Sequence, residues 1–252
     1  MGETLQAFVH RLRLERAAQL LTFHRLASIS EIALECGFSS ASAFARAFKT
    51  AFGVTAGEWR KRKICQTNRK EWEADEVAAL GFCTQEIRMT NTKLDVQVRT
   101  RAPATLAYIR HIGPYKGDTE LFRRLFGRLF AWAGARGLMG PEPRHLSLMQ
   151  DNPNLTPAAK QRLEVALVVP AGTLPHGEVG IQAMQGGLYA TARVFVPIEE
   201  YAAQWDALVA DWLPGSGYQP DHRPAMEFYL NNPDTDPQHR YHVEICLPVK
   251  AL

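Results

Sequence analysis

The sequence predicts an α+β chain in two parts. An N-terminal all-α helix-turn-helix segment is followed by a duplicated β-hairpin–helix–β-hairpin domain with a central cleft. Three observations lead there. Two short apolar-periodic segments meet at a Gly-Phe-Ser-Ser break, residues 37–40. Residues 1–70 hold 12 Lys/Arg against 5 Asp/Glu, whereas residues 71–252 hold 17 against 21. In the second part, single residues recur at one fixed spacing of 80 positions. The boundaries that follow are 1–63 for the helical segment, 64–93 for a linker and 94–252 for the duplicated domain.

In the helical segment, Leu5, Phe8, Val9, Leu12, Ala17, Leu20 and Leu21 form an apolar stripe that predicts a helix over 3–22. Ile32, Ala33 and Cys36 predict a second helix, with Ser30 as its cap. Phe44, Ala47 and Phe48 predict a third from about Ser40 to Thr50, capped by Ser39 or Ser40. Gly37 supplies the positive φ that a tight turn between crossing helices needs. In such a unit the helix after the turn enters the DNA major groove, N-terminal end first. Ser40, Ser42 and Arg46 point away from the Phe44/Phe48 face, so they are the candidates for base contact. Lys49, Arg60, Lys61, Arg62 and Lys63 are placed to neutralise phosphates. A plain helical pair with solvated basic residues would show the same pattern, and the basic charge of this part favours DNA.

Composition excludes several classes. No apolar run reaches membrane-spanning length without a charge, and the N-terminus lacks the apolar core of a signal peptide, so a cytoplasmic protein is expected. Cys36, Cys65, Cys83 and Cys246 are far apart with no CxxC, which reads as reduced thiols and no metal site. No Ser-His-Asp spacing, Gly-rich phosphate loop or zinc motif points to independent catalysis or to a cofactor.

Residues 61–93 begin basic and turn acidic, with an apolar face only around Val77–Phe82, as expected of a linker with one short helix. Beyond it one pattern occurs twice. The first copy predicts strands near 94–99 and 104–112, a helix near 118–136, and strands near 145–150 and 161–169. The second predicts strands near 178–184 and 188–196, a helix near 198–213, and strands near 225–230 and 240–248. Trp132/Trp212, Gly137/Gly217, Asn152/Asn232, Pro153/Pro233, Pro157/Pro237, Lys160/Arg240 and Glu164/Glu244 all obey the 80-residue spacing.

Two-fold duplications leave a groove between their halves, a natural ligand site. Strand alternation in PAMEFYLNNP puts Met226, Phe228 and Leu230 on one face, with Glu227 and Tyr229 on the other. If the apolar set lies under the helices, Glu227 and Tyr229 face the opposite side. Repeat one has Ser147 where repeat two has Glu227, so this carboxylate breaks the repeat and is the better functional candidate. A solvent-exposed strand carboxylate is the plainer alternative. Glu164 and Glu244 obey the repeat and read as structural. Trp132 and Trp212 lie on helical apolar stripes, which suits core packing as well as ligand contact.

Two family resemblances add to this reading. RLRLERAAQLL, SISEIALECGFSSASAFARAFKTAFGVT and EWRK resemble the second half of an AraC/XylS-type DNA-binding domain, over about residues 3–63. The resemblance implies that Ser40 to Lys49 form the recognition helix. Ala43 and Ala56 depart from the aromatic and the Pro that the family usually carries there. The chain starts at the helix joining that family's two helix-turn-helix units, so weak DNA binding through one unit is expected. YIRHIGPYKG, GGLYATARVFVPIEEYAAQWDALVADWLPGSGYQPDHRPAMEFYLNNP and YHVEICLPV are similar to GyrI-like effector-binding domains, over about residues 94–250. That resemblance implies a cleft with Glu227 at its floor and a hydrophobic, often cationic, drug-like ligand. Tyr229, Tyr115, Tyr189, Trp132 and Trp212 are the further lining candidates. Some relatives inhibit gyrase, and a minority hydrolyse strained or ester substrates with the same Glu. The expected function is a ligand-responsive transcriptional regulator. Its partners would be DNA and a hydrophobic effector, with a homodimer left open and no membrane or cofactor. The alternatives are a hydrolase using Glu227 as general base and a drug-sequestering or gyrase-inhibitor-like protein.

Overall fold

The structure, a computed structural model, describes residues 3–24, 27–67, 94–140 and 144–252. The expected linker, including Val77–Phe82, lies mostly outside these residues. The chain divides into two compact units, Met1–Arg88 and Met89–Leu252.

The first unit has four helices: α1 (Leu5–Phe23), α2 (Ile29–Glu35), α3 (Ala41–Phe52) and α4 (Ala56–Thr67). Its core is a file of rings in which Phe38, Phe44, Phe48, Phe52 and Trp59 touch in succession, at centroid distances of 4.6–5.3 Å. The Trp59 indole closes the bundle by donating to the Ala18 carbonyl at 3.1 Å. The expected stripe on α1 holds only in its later turns, because Leu5 and Val9 are exposed while Ala17, Leu20 and Leu21 are buried. The cap of α2 is Ser28, not Ser30. Ser28 and Glu31 form a reciprocal capping box that satisfies two backbone donors, and Ser30 lies inside the helix. Ser40 caps α3 as expected, accepting from the Ala43 N–H at 3.1 Å. Gly37 adopts φ +79°, and the Arg13 guanidinium beneath it donates to its carbonyl.

The second unit comprises β1 (Gln97–Arg101), β2 (Ala104–Ile112), α5 (Thr119–Gly134), β3 (His145–Met149) and β4 (Arg162–Val169), then β5 (Gly180–Met184), β6 (Gly187–Val196), α6 (Ile198–Asp206), β7 (Tyr218–Pro220), β8 (Ala225–Tyr229) and β9 (Tyr241–Ala251). A π-helical stretch, Ala207–Trp212, continues α6. All strands but β7 follow the order β1-β6-β9-β8-β3-β4-β2-β5, and β7 pairs with β9. This order is symmetric about the β8/β3 pair, as a duplication requires.

The duplication extends to local chemistry. Asp151 accepts from the Arg162 N–H at 2.8 Å, and 80 positions on, Asn231 accepts from the His242 N–H at 2.8 Å. Asn152 and Asn232 each bond the backbone N–H two residues ahead.

One expectation fails in a consistent way. The first strand pair of each repeat is not a hairpin, because β1 crosses to pair with β6 and β5 crosses to pair with β2. Strand alternation is identical for a strand paired with its neighbour and one paired elsewhere, so the pattern did not distinguish them. The crossing has a geometric consequence. Six strand spacings separate β1 from β2 in the sheet, about 29 Å if it were flat. Yet only Ala102 and Pro103 join them, a link of at most about 11 Å. The sheet must therefore curl until its two edges approach. The matching link, Gln185–Gly186, passes so close to the first that a Cβ on Gly186 would lie 2.8 Å from the Arg101 carbonyl oxygen and 2.9 Å from Pro103.

Curling creates two cores. The inner face is filled from the strands alone, by Leu106, Leu146, Leu148, Met184, Tyr189, Met226, Phe228 and Cys246 among others. The outer face carries a second core in which Leu121, Leu125 and Leu129 of α5 cover Ile109, Leu163, Val165 and Leu167. Glu164 and Glu244 point to the inner face, each held by arginine: Glu164 by Arg110 with Gln150 and Gln182, Glu244 by Arg101 and Arg193. Their structural reading fits this placement.

Candidate functional site

At the centre of the sheet β3 and β8 run antiparallel with Leu146 opposite Phe228, Ser147 opposite Glu227 and Leu148 opposite Met226. The pseudo-two-fold axis passes between Ser147 and Glu227. Both side chains point outward, to the face that the helices cover. This corrects the expected facing of β8. Its apolar residues Met226 and Phe228 enter the inner core, and it is Glu227 and Tyr229 that look toward the helices.

Glu227 is 8 % exposed. Its Oε1 accepts from the Trp205 indole of α6 at 2.7 Å. Its Oε2 accepts from the Ser147 hydroxyl at 3.0 Å and from the Tyr229 phenol at 3.1 Å. Among the described residues no basic side chain lies within ion-pair distance of it. Burial pushes the Glu227 carboxyl above its ordinary value, and the bonds from Trp205, Ser147 and Tyr229 offset only part of that rise. The same burial, followed by the Glu227 charge, raises the phenols of Tyr229, Tyr201 and Tyr115. The hydroxyls of Tyr201 and Tyr115 are buried without a hydrogen-bond partner of good geometry among the described residues.

Half-buried rings stand beside the carboxylate. Phe126 on α5 packs edge-to-face with Tyr229 at 5.4 Å and with His145 at 5.4 Å, and His145 lies nearly parallel to Tyr229 at 5.7 Å. Phe130 closes on His145 from the next turn of α5. From the side of α6, Tyr201 meets Tyr241 at 5.9 Å. The two helices thus bring aromatic side chains to a carboxylate seated between them. Aromatic faces beside an ionisable carboxyl are a setting in which a cation would be favoured.

Of the expected lining residues, Tyr229 touches Glu227, and Tyr115 lies within its electrostatic reach in the core under α5. Tyr189 is not brought there. It sits on the inner face, donating to the Gln185 carbonyl with the Arg223 guanidinium over its ring. Trp132, a residue of α5, packs against the outer core with Arg136 over its ring, and Trp212 stacks on Tyr218; neither has a described contact with Glu227. Trp205, Tyr201, His145, Phe126 and Phe130 were not foreseen. Tyr201 and Trp205 are four residues apart on one helix face, which is the signal that could have found them.

Residues 94–250 match the family described as GyrI-like small molecule binding domain. The chain belongs to the GyrI-like family. Residues 1–62 match a helix-turn-helix domain family, in agreement with the AraC-type resemblance. The GyrI-like part is 36 % identical over 143 residues to a DNA gyrase inhibitor of Edwardsiella ictaluri, covering 55 % of this chain and 88 % of that one. It is 34 % identical over 161 residues to a DNA gyrase inhibitor of Edwardsiella piscicida, covering 62 % and 99 %. Among solved structures, the EcmrR–DNA complex aligns at a TM-score of 0.55 and 16 % identity, covering 78 % of this chain and 72 % of that one. The EcmrR C-terminal domain aligns at 0.50 and 15 % identity, covering 64 % and 100 %. At these identities the likeness is one of fold.

In the helix-turn-helix domain, Ser42, Arg46 and Lys49 lie on the exposed face of α3, and neither Arg46 nor Lys49 has a hydrogen-bond or ion-pair partner among the described residues. The Ser40 hydroxyl is engaged in capping. Arg60 is half-buried on α4 and donates to the Ala27 carbonyl at 2.8 Å, while Lys61 is exposed. No described helix is long and apolar enough to cross a membrane.

Proposed function

We propose that this protein is a ligand-responsive DNA-binding regulator whose GyrI-like domain senses a hydrophobic, cationic aromatic compound. The observation that carries the ligand class is Glu227, a buried carboxylate among aromatic rings with hydrogen-bond donors but no described cation beside it. A buried charge without a counter-charge is costly, so a ligand that supplies one gains more than its apolar contact alone would give. Binding to DNA rests on α3, whose free Arg46 suits a bidentate contact with guanine and whose Lys49 suits a phosphate.

The test is a paired titration with a quaternary aryl-ammonium ion and its neutral tert-butyl isostere. Glu227→Gln keeps the shape and removes the charge. The cation should lose about 1–3 kcal/mol, the range for a charged hydrogen-bonded contact, and the isostere little. Equal loss for both, or none for the cation, would overturn the assignment. Aryl-ester hydrolysis compared between wild type and Glu227→Gln separates binding from catalysis, and no Glu227-dependent turnover is expected.

A further inference from the structure

A carboxylate has two oxygens and about four acceptor positions. In this site most are already taken. Oε2 receives the Ser147 hydroxyl at 3.0 Å and the Tyr229 phenol at 3.1 Å, and Oε1 receives the Trp205 indole at 2.7 Å. Ser147 Oγ and Tyr229 OH also lie 3.1 Å from each other. Each hydroxyl has one proton, and a bond to an ionised acceptor is the stronger use of it, so both protons go to Oε2. At most one acceptor position remains on the carboxylate, and the buried Tyr201 hydroxyl also approaches it.

From this count we infer that the site around Glu227 selects among cations by how many hydrogen bonds they demand, and that Ser147 is the residue that sets this selectivity. The inference rests on the ligand reading given above for Glu227. A guanidinium needs one acceptor on each carboxylate oxygen for its fork, and Oε2 has none to spare. A primary ammonium brings three N–H donors into a site walled by Phe126, Phe130, His145 and Tyr229, where at most one finds the carboxylate. Donors left buried and unpaired count against binding. A quaternary or charge-delocalised aromatic cation carries the same charge and demands no acceptor. It takes the attraction of the carboxylate and the rings without that penalty. Between two aromatic cations of matched shape, the one without N–H donors is therefore favoured.

Ser147 contributes one of the two bonds that fill Oε2, from a fully buried position directly opposite Glu227 in the sheet. Replacing it with Ala removes a donor and reopens an acceptor position. Tyr229→Phe does the same from the other side with its ring kept.

The experiment measures, by calorimetry at neutral pH, the affinities of 4-biphenylmethyl-trimethylammonium and 4-biphenylmethylammonium for the full-length protein. Wild type should bind the quaternary ion about ten-fold tighter, more than the neutral tert-butyl compound gains over its methyl analogue. In Ser147→Ala, and separately in Tyr229→Phe, the quaternary-to-primary ratio should fall about three-fold or more. A ratio that stays fixed in both variants, or a wild type that prefers the primary amine, overturns the inference while leaving the cation site standing. Binding of neither ion removes the Glu227 reading and this selectivity with it.

Discussion

Ser147 and Glu227 hold the same position in the two halves of the domain, 80 residues apart, and the first donates a hydrogen bond to the second across the pseudo-two-fold axis. A side chain on a symmetry axis meets its own counterpart. Had both halves kept glutamate, two carboxylates would share one buried site. The serine leaves a single carboxyl there and donates a hydrogen bond to it.

Ser147→Asp should therefore create a pair that cannot ionise together at neutral pH, with one carboxyl titrating far above its ordinary range. Its stability relative to wild type should fall as pH rises from 5 to 8. Thermal unfolding across that range checks this, and a pH-independent difference would count against close apposition.

Glu227 is raised by burial, so its folded value exceeds the unfolded value of about 4.3. The sign follows: its contribution to stability is fully present below the unfolded value and is lost as pH rises through the folded one. Glu227→Gln should flatten that loss and be relatively more stable at pH 8 than at pH 4. Binding of the cation should strengthen over the same rise as the carboxyl ionises, whereas binding of the neutral isostere should stay level. Denaturant titrations and calorimetry at several pH values test both.

Gly186 has no room for a side chain where the two crossing links meet. Gly186→Ala should destabilise the domain by about 1–3 kcal/mol through overpacking against backbone. Gly127, inside α5 with nothing within 4 Å of its would-be Cβ, is the control. Gly127→Ala should stabilise by about 0.5–1 kcal/mol from helix propensity. Urea midpoints of the two variants should move in opposite directions.

For DNA, Arg46→Ala should lower the preference for the cognate sequence by about 1–3 kcal/mol. Lys61→Ala should weaken all duplexes alike and flatten the salt dependence by roughly one unit. Binding isotherms at several salt concentrations on specific and random duplexes separate the two effects. No shift for any duplex at low salt would remove α3 as a DNA reader.

The helix-turn-helix was legible because its signals are local: Gly37 at φ +79°, the Ser40 cap and the Phe44/Phe48 spacing. The duplication was legible because insertions did not disturb the spacing between Trp132, Glu164 and their counterparts. Glu227 stood out because its counterpart at the same spacing, Ser147, is a different residue. The orientation of its strand did not, since alternation defines two faces without saying which lies under a helix, and here both are covered. The partners of Glu227 were hidden for a related reason. Trp205 and Tyr201 belong to a helix whose pattern reads as ordinary amphipathic packing, and Phe126 and Phe130 to another. Only the folded domain brings these two helices to one carboxylate.

The exchange of β1 and β5 between halves bears on how such a domain could be taken apart or have come into being. A chain cut between residues 170 and 178 would leave each fragment holding a first strand whose partner is on the other fragment, and an empty place beside its second strand. Neither fragment could close alone. A single ancestral repeat would have met the same difficulty, and two copies could resolve it by each lending its first strand to the other. Fusion of those copies would turn an exchange between chains into one within a chain, after which Ser147 and Glu227 were free to diverge.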